Sequence, residues 1–173
     1  PGIQALILVP TRELALQYVD ELGLIGKHTG IAPFAIYGGF SMDIQKAKLA
    51  HGVHILVATP GRLIDHLYNS TLTLEQVRIV VLDEADEMLN MGFIDDVKFI
   101  LSCIINEHQT LLFSATMVAD VEELASGLVV VREPDGLMPR SIPSFDDLLA
   151  DLFNQAADAA EQEDGYDPKG PYL

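Results

Sequence analysis

The most constraining feature of the sequence is an apolar run, residues 79–82, followed at once by the acidic residues Asp83, Glu84 and Asp86. The run is rich in β-branched residues and has no polar position, which is typical of a strand buried on both faces. Strands of this kind belong to parallel sheets that helices cover on both sides. The acidic residues would then lie at the carboxyl end of the strand, the edge where open α/β sheets bind ligands.

Carboxylates at such an edge suit phosphoryl-transfer chemistry. One carboxylate can hold Mg²⁺ through the water ligands of the ion, while the next activates the water that attacks a phosphate. The alternative is that the acids only occupy the first turn of a helix, where the helix dipole favours negative charge. The segment alone leaves both interpretations open.

Four further apolar runs resemble the first and alternate with segments of helical periodicity; they span residues 5–9, 32–37, 55–58 and 110–113. This alternation predicts a single α/β domain with an open parallel sheet flanked by helices. The predicted domain covers residues 1–132. No apolar stretch approaches the length of a membrane span, so we expect no membrane segment.

Two segments at predicted strand ends suit a phosphate. Pro10-Thr11-Arg12-Glu13 follows the first strand and begins a helix, and residues 59–62, Thr-Pro-Gly-Arg, repeat this design. A helix N-terminus offers free backbone N–H groups and the positive end of the dipole, and each segment adds an arginine. The alternative is ordinary helix initiation, with both arginines paired to nearby acids.

Two more loops follow predicted strands. Gly38-Gly39 follows the second strand and precedes a helix that Ser41 would cap, so the backbone there can approach a ligand closely. Ser114 and Thr116 follow the fifth strand, and their hydroxyls can hydrogen-bond to a carboxylate such as Asp86. The alternatives are a tight turn in the first loop and a helix cap in the second.

Over about residues 3–127 the chain resembles the first RecA-like domain of the DEAD-box ATP-dependent RNA helicases. The resemblance rests on five segments that match the family's motifs and follow one another in the family's order. They are Pro10 to Ala15, Gly38-Gly39 with Gln45, Thr59 to Arg62, Asp83 to Leu89 with Met91 to Phe93, and Ser114 to Met117. For an intact protein it implies hydrolysis of ATP with Mg²⁺, coupled to RNA binding and duplex unwinding.

The resemblance also implies roles for single residues. Those implied in catalysis are Asp83, Glu84, Asp86, Ser114 and Thr116, with Asp83 holding Mg²⁺ through water. Those implied in sequence-independent binding of the RNA backbone are Pro10, Thr11, Arg12, Glu13, Gly38, Gly39, Thr59, Pro60, Gly61 and Arg62.

The sequence contains no glycine-rich loop ending in Gly-Lys-Ser or Gly-Lys-Thr, the usual cradle for nucleotide phosphates. In the family this loop precedes the region that the chain matches, and a second RecA-like domain supplies an arginine finger. We therefore expect a piece of a helicase that begins after the phosphate loop and does not hydrolyse ATP alone. The competing hypothesis is a degenerate, non-enzymatic module that binds a protein partner.

Residues 133–173 form a predicted acidic tail. They hold ten acidic and two basic residues, and so carry −8 of the formal net charge of −16. Apolar residues recur at helical spacing over about residues 144–160, which predicts an amphipathic helix. This helix would pack on the domain itself or dock on a partner protein. From residue 161 onward, charge with glycine and proline predicts a disordered end.

Composition sets further expectations. The chain has only ten Lys and Arg residues, so its affinity for RNA should be weak because backbone binding depends on released counterions. The single cysteine, Cys103, excludes a disulfide framework, and we expect a buried thiol there. Histidine and cysteine show no spacing typical of a zinc site. We expect a monomer in the cytoplasm.

Overall fold

The computed structural model describes residues 2–116 and 118–127. In chain order the elements are β1 (Ala5–Leu8), α1 (Arg12–Ile25), β2 (Pro33–Ile36), α2 (Met42–Leu49), β3 (Ile55–Ala58), α3 (Pro60–Tyr68), β4 (Ile79–Leu82), α4 (Ala85–Asn90), α5 (Ile94–Ser102), β5 (Gln109–Leu112) and α6 (Ala119–Gly127). The five predicted strands are all present. Their observed ends differ from the predicted ones by at most one residue.

The sheet is parallel throughout, with the strand order β2-β3-β1-β4-β5. The predicted open parallel α/β fold is therefore confirmed. The last residues of neighbouring strands are in register: Leu8 pairs with Ala58 and Leu82, Ala58 with Ile36, and Leu82 with Leu112. All five loops that leave the strands consequently start from one edge of the sheet, which we call the carboxyl edge.

Both faces of the central strands are buried, as their apolar composition predicts. Leu6 and Leu8 of β1 face a core that includes Leu63 of α3 and Ile100 of α5. The alternate residues of the strand face a second core formed with α1, whose members include Ile7 and Leu22. The period-two alternation of a strand and the helices on each side explain why no position of β1 can be polar.

The strand β5 differs from its neighbours. Gln109 is exposed and Thr110, Leu111 and Leu112 are partly buried, whereas every residue of β1, β3 and β4 is buried. Within the described residues β5 has a partner only on the β4 side. Cys103, which was expected to be buried, is only partly buried; it is the C-cap residue of α5, the helix before β5.

Several predictions concern residues 128–173, which lie outside the described residues. These are the domain boundary after residue 132, the amphipathic helix at about 144–160 with its possible partner, and the disordered end. They stay predictions. In the portion that the structure covers, no helix is both long and apolar enough to cross a bilayer.

Candidate functional site

Asp83 is the first residue after β4 and lies at the carboxyl edge. Its backbone N–H donates to the carbonyl of Leu8 at 3.0 Å, which ties the loop to the central strand β1. Both carboxylate oxygens accept a hydrogen bond: Oδ1 from the backbone N–H of Glu84 at 2.9 Å, and Oδ2 from the hydroxyl of Tyr18 at 2.6 Å. The orientation of the carboxylate is therefore fixed from two sides.

Tyr18 is a site residue that the sequence did not reveal. Its helical spacing in α1 predicts a core position, and the ring is indeed buried, with 6% of the residue exposed. Burial, and then the hydrogen bond to Asp83, raise the pKa of the Tyr18 hydroxyl far above its ordinary value, so it donates as a neutral phenol. The partner is 65 positions away in the chain, so spacing could not identify it.

Glu84 has an unusual backbone conformation. It precedes α4 with φ 51° and ψ 49°, in the left-handed region that residues other than glycine rarely adopt. This conformation costs roughly 1–2 kcal/mol in an L-residue. Such strain tends to occur at functional sites, where the surrounding structure holds it in place. The Glu84 side chain is exposed at the carboxyl edge.

Asp86 joins α4 to the loop after β5. Its Oδ2 accepts hydrogen bonds from the hydroxyl of Thr116 at 2.7 Å and from the Thr116 backbone N–H at 3.0 Å. The hydroxyl of Ser114 accepts from the Asp86 backbone N–H at 3.3 Å and donates to the Thr116 carbonyl at 2.7 Å. The Thr116 hydroxyl thus makes the expected hydrogen bond to the Asp86 carboxylate, whereas the Ser114 hydroxyl bonds to the Asp86 backbone. The hydrogen bond from Thr116 holds the pKa of Asp86 below its ordinary value.

The donor set fits a hydrated Mg²⁺ at Asp83. A carboxylate oxygen has room for a second hydrogen bond beside the one it already accepts, so Asp83 can still receive water ligands of the ion. The described residues contain no group of three His, Cys, Asp or Glu side chains that would bind a metal directly. The sequence also lacks a Gly-Lys-Ser or Gly-Lys-Thr phosphate loop, so these residues do not by themselves fit ATP.

The first expected phosphate segment is at the start of α1. Thr11 caps the helix, since its hydroxyl accepts from the backbone N–H of Leu14 at 3.3 Å. The guanidinium of Arg12 contacts the carboxylate of its neighbour Glu13 at 2.8 Å. Both side chains are mostly exposed, at 61% and 73%, and such a surface pair is worth little. Arg12 can therefore exchange this partner for a phosphate at small cost.

The second expected phosphate segment starts α3. Thr59 occupies the N-cap position, but its side chain makes no capping hydrogen bond, and Pro60 is buried in the first turn. The Arg62 side chain is only 12% exposed and lies 3.6 Å from the Asp65 carboxylate. Its Nη1 donates to the carbonyl of Phe40 at 2.8 Å, in the neighbouring glycine loop. Arg62 is thus far more constrained than Arg12.

The glycine loop connects β2 to α2. Gly38 and Gly39 are both exposed, and a Cβ built on either would meet no atom within 4 Å. Only Gly39 requires glycine for conformational reasons, because its φ is +79°. The open space beside this backbone is what a closely approaching ligand needs. Ser41 caps α2 as expected, with its hydroxyl 3.5 Å from the Ile44 nitrogen.

The strand order sorts these loops into two groups along the carboxyl edge. The expected RNA segments follow β2, β3 and β1, which are adjacent, and the acidic and hydroxyl segments follow β4 and β5. The hydrogen bond from Tyr18 to Asp83 joins the two groups, because Tyr18 lies on the helix after β1. The structure therefore brings every segment of the predicted site to one edge.

Known proteins are similar to this chain in sequence. A family model for the DEAD/DEAH box helicase matches residues 1–124. The chain is 53% identical over 125 residues to the DEAD-box ATP-dependent RNA helicase CshA of Bacillus licheniformis, across 72% of this chain and 26% of the relative. The Bacillus subtilis CshA is 52% identical over 133 residues, across 77% of this chain and 27% of the relative.

Solved structures of DEAD-box proteins have a fold similar to that of this chain. The yeast DEAD-box splicing factor Prp28 superposes with a TM-score of 0.70 and 42% identity, over 73% of this chain and 30% of that one. A DEAD box protein from the hyperthermophile Methanococcus jannaschii gives a TM-score of 0.70 and 46% identity, over 73% of this chain and 34% of that one. The chain spans about a quarter of the length of the CshA relatives. On these grounds it belongs to the DEAD/DEAH box helicase family.

Proposed function

We propose that the chain is the part of an ATP-dependent RNA helicase that carries the acidic residues for ATP hydrolysis and one portion of the RNA surface. The observation that supports this most is the register of the sheet, which starts all five motif-bearing loops from one edge. The family supports the same assignment. Unwinding of RNA would be an activity of an intact protein that also contains the phosphate loop and a second domain.

The acidic group would perform the chemistry. Bound Mg²⁺ would stabilise negative charge on the reacting phosphate. Asp83 would orient the ion through its water ligands, with Tyr18 and the Glu84 backbone holding the carboxylate still. Glu84, exposed at the same edge, would accept a proton from the attacking water. Asp86 and Thr116 would connect this region mechanically to the loop after β5.

The other group of loops would bind RNA. Free N–H groups at the start of α1 and α3, the backbone at Gly38-Gly39 and the guanidinium of Arg12 address phosphate and sugar rather than bases. The interaction is therefore expected to be independent of RNA sequence. With few cations on a chain of net charge −16, we also expect weak binding that requires low salt.

A titration with a single-stranded RNA oligonucleotide at low salt tests the RNA surface. Replacing Arg12 by Ala should weaken binding and reduce the slope of log affinity against log salt by about 0.7, the value for one phosphate contact on a single strand. Arg78→Ala is the matched control, since Arg78 is exposed just before β4 at the opposite edge. Equal losses in both variants would contradict the proposed surface.

The same protein should not hydrolyse ATP. Because its sequence lacks the phosphate loop, we expect no ATP hydrolysis above background with or without RNA. RNA-stimulated hydrolysis by the 173-residue chain would show that a nucleotide site exists elsewhere in it.

A further inference from the structure

Two fully buried polar side chains lie behind the proposed RNA loops. Gln45 of α2 and His66 of α3 are both 0% exposed. Burying an amide or an imidazole is unfavourable unless its hydrogen bonds are satisfied, so each needs partners inside the protein. Neither residue belongs to the acidic site. Gln45 has its partners on Tyr37, Arg62 and His66, and the ring of His66 has its partners on Gln45 and Thr71.

The carbonyl of Tyr37 fixes the orientation of the Gln45 amide. A carbonyl can only accept, so the Gln45 nitrogen Nε2 faces it and donates at 3.1 Å. The amide oxygen Oε1 then faces α3. It lies 3.2 Å from Arg62 Nη1 and 3.0 Å from His66 Nε2, and accepts from both.

This arrangement also fixes the tautomer of His66. Because Gln45 Oε1 can only accept, His66 must carry a proton on Nε2. The other ring nitrogen, Nδ1, is 2.7 Å from the Thr71 hydroxyl, which also lies 3.0 Å from the His66 backbone carbonyl. A hydroxyl has one hydrogen to donate, and in a ring protonated only on Nε2 this hydrogen goes to Nδ1. Burial, and then the charges of Arg62 and Lys46, lower the pKa of His66 and favour this neutral form.

The network closes around the two glycines. The carbonyl before them, of Tyr37, accepts from Gln45, and the carbonyl after them, of Phe40, accepts from Arg62 Nη1 at 2.8 Å. Arg62 Nη1 also donates to Gln45 Oε1, so this one nitrogen donates to both the Phe40 carbonyl and the Gln45 amide oxygen. The loop after β2 and the first turn of α3 are thereby held as one unit, although neither glycine has a side chain.

We propose that Gln45 and His66 are positioning residues that set the conformation of the Gly38-Gly39 loop and hold Arg62 against it. The inference rests on the proposed RNA surface for its functional meaning, but not for its geometry. His66 acts through Gln45, and Gln45 acts through two backbone carbonyls and one guanidinium. Neither residue needs to touch RNA.

The first test uses the unaltered 173-residue chain labelled with ¹⁵N. The ring ¹⁵N shifts of His66 should show a protonated Nε2 and an unprotonated Nδ1 at neutral pH. A neutral ring protonated on Nδ1 instead would overturn the proposal, because Gln45 Oε1 could not then accept from it. This measurement does not depend on any variant folding.

The second test replaces Gln45 by Met, which keeps the length of the side chain and removes its hydrogen bonds. The amide order parameters of Gly39 and Phe40 should fall from about 0.85 to below about 0.6. Gln4→Met is the matched control. Gln4 is also buried, at 6% exposed, but it lies just before β1 at the opposite edge of the sheet, so this substitution should leave the glycine loop unchanged. An equally rigid loop in the Gln45 variant would overturn the proposal.

RNA binding then separates this inference from the proposed function. Gln45→Met should weaken binding of a single-stranded oligouridine by about fivefold, the loss of roughly one hydrogen bond, with the salt slope unchanged because no charge is removed. If the unaltered chain binds no RNA but the variant loop loosens, the positioning role is supported and the proposed RNA surface is contradicted. If the unaltered chain binds RNA and the variant binds equally well, the positioning role is contradicted.

Discussion

At the scale of single residues, the structure adds contacts that no local pattern contains. The sequence placed Asp83, Glu84 and Asp86 at a strand end because an apolar run and the acids are adjacent in the chain. Leu14, Tyr18 and Leu22 recur every fourth residue, a spacing that indicates a helix with these residues on one face. The sequence could not join Tyr18 to Asp83, because the register of β1 against β4, and not spacing, brings them together.

The Tyr18 hydroxyl should contribute measurably to stability. Tyr18→Phe keeps the buried ring and removes the donor to Asp83, so we expect the free energy of unfolding to fall by about 1 kcal/mol, a value reduced for the partial exposure of the carboxylate. Urea unfolding of the two proteins measures this fall in the free energy of unfolding. Tyr68→Phe is the control, since Tyr68 is 74% exposed. Equal effects of the two substitutions would show that the contact contributes nothing.

The pKa of Asp86 provides a pH-dependent test. Its hydrogen bond from Thr116 favours the charged form and lowers the pKa in the folded protein. The ionised Asp86 carboxylate therefore stabilises the folded protein fully at a pH above the pKa that Asp86 has in the unfolded chain. This stabilisation is lost as the pH falls through the lower pKa that Asp86 has in the folded protein. Carboxyl ¹³C titration should give a midpoint below 3.8 that rises in Thr116→Val. An unshifted midpoint in both proteins would contradict the contact.

At the scale of elements, the sequence predicted positions best where characteristic residues mark both ends of a strand or helix. Strand positions followed from short apolar runs, the start of α1 from the change from strand to helix after Pro10, and the start of α2 from the expected N-cap Ser41. The start of α3 was also predicted, and Thr59, a residue type typical of N-caps, occupies that position. Its side chain makes no capping hydrogen bond, since this bond also depends on the side-chain rotamer, which residue type alone does not determine.

The two threonines offer a matched comparison of helix capping. Thr11→Ala removes a hydroxyl that accepts from the Leu14 backbone N–H, and should lower the free energy of unfolding by about 1 kcal/mol. Thr59→Ala removes a hydroxyl with no capping bond and should cost less than about 0.5 kcal/mol. Thermal or urea unfolding distinguishes the two. A larger loss from Thr59→Ala would contradict the assignment of the caps.

At the scale of the whole molecule, one property of the sheet organises the site. Five parallel strands in register start their loops at a single edge, and their order separates the expected RNA loops from the acidic loops. The sequence predicted the parallel sheet, because buried β-branched runs alternate with helices. It could not supply the strand order from these runs alone, since β3 lies between β2 and β1 and the chain must cross the sheet to form β4.

The most direct test of the account is to map bound RNA on the backbone amides of the ¹⁵N-labelled chain. Single-stranded RNA at low salt should shift the amides at the carboxyl edge near β1, β2 and β3, namely those of Thr11, Arg12, Glu13, Gly38, Gly39, Gly61 and Arg62. The amides of Arg78 and Gln109, at the opposite edge, should not move. Shifts concentrated at that opposite edge, with the glycine loop and the start of α1 unaffected, would contradict the central claim.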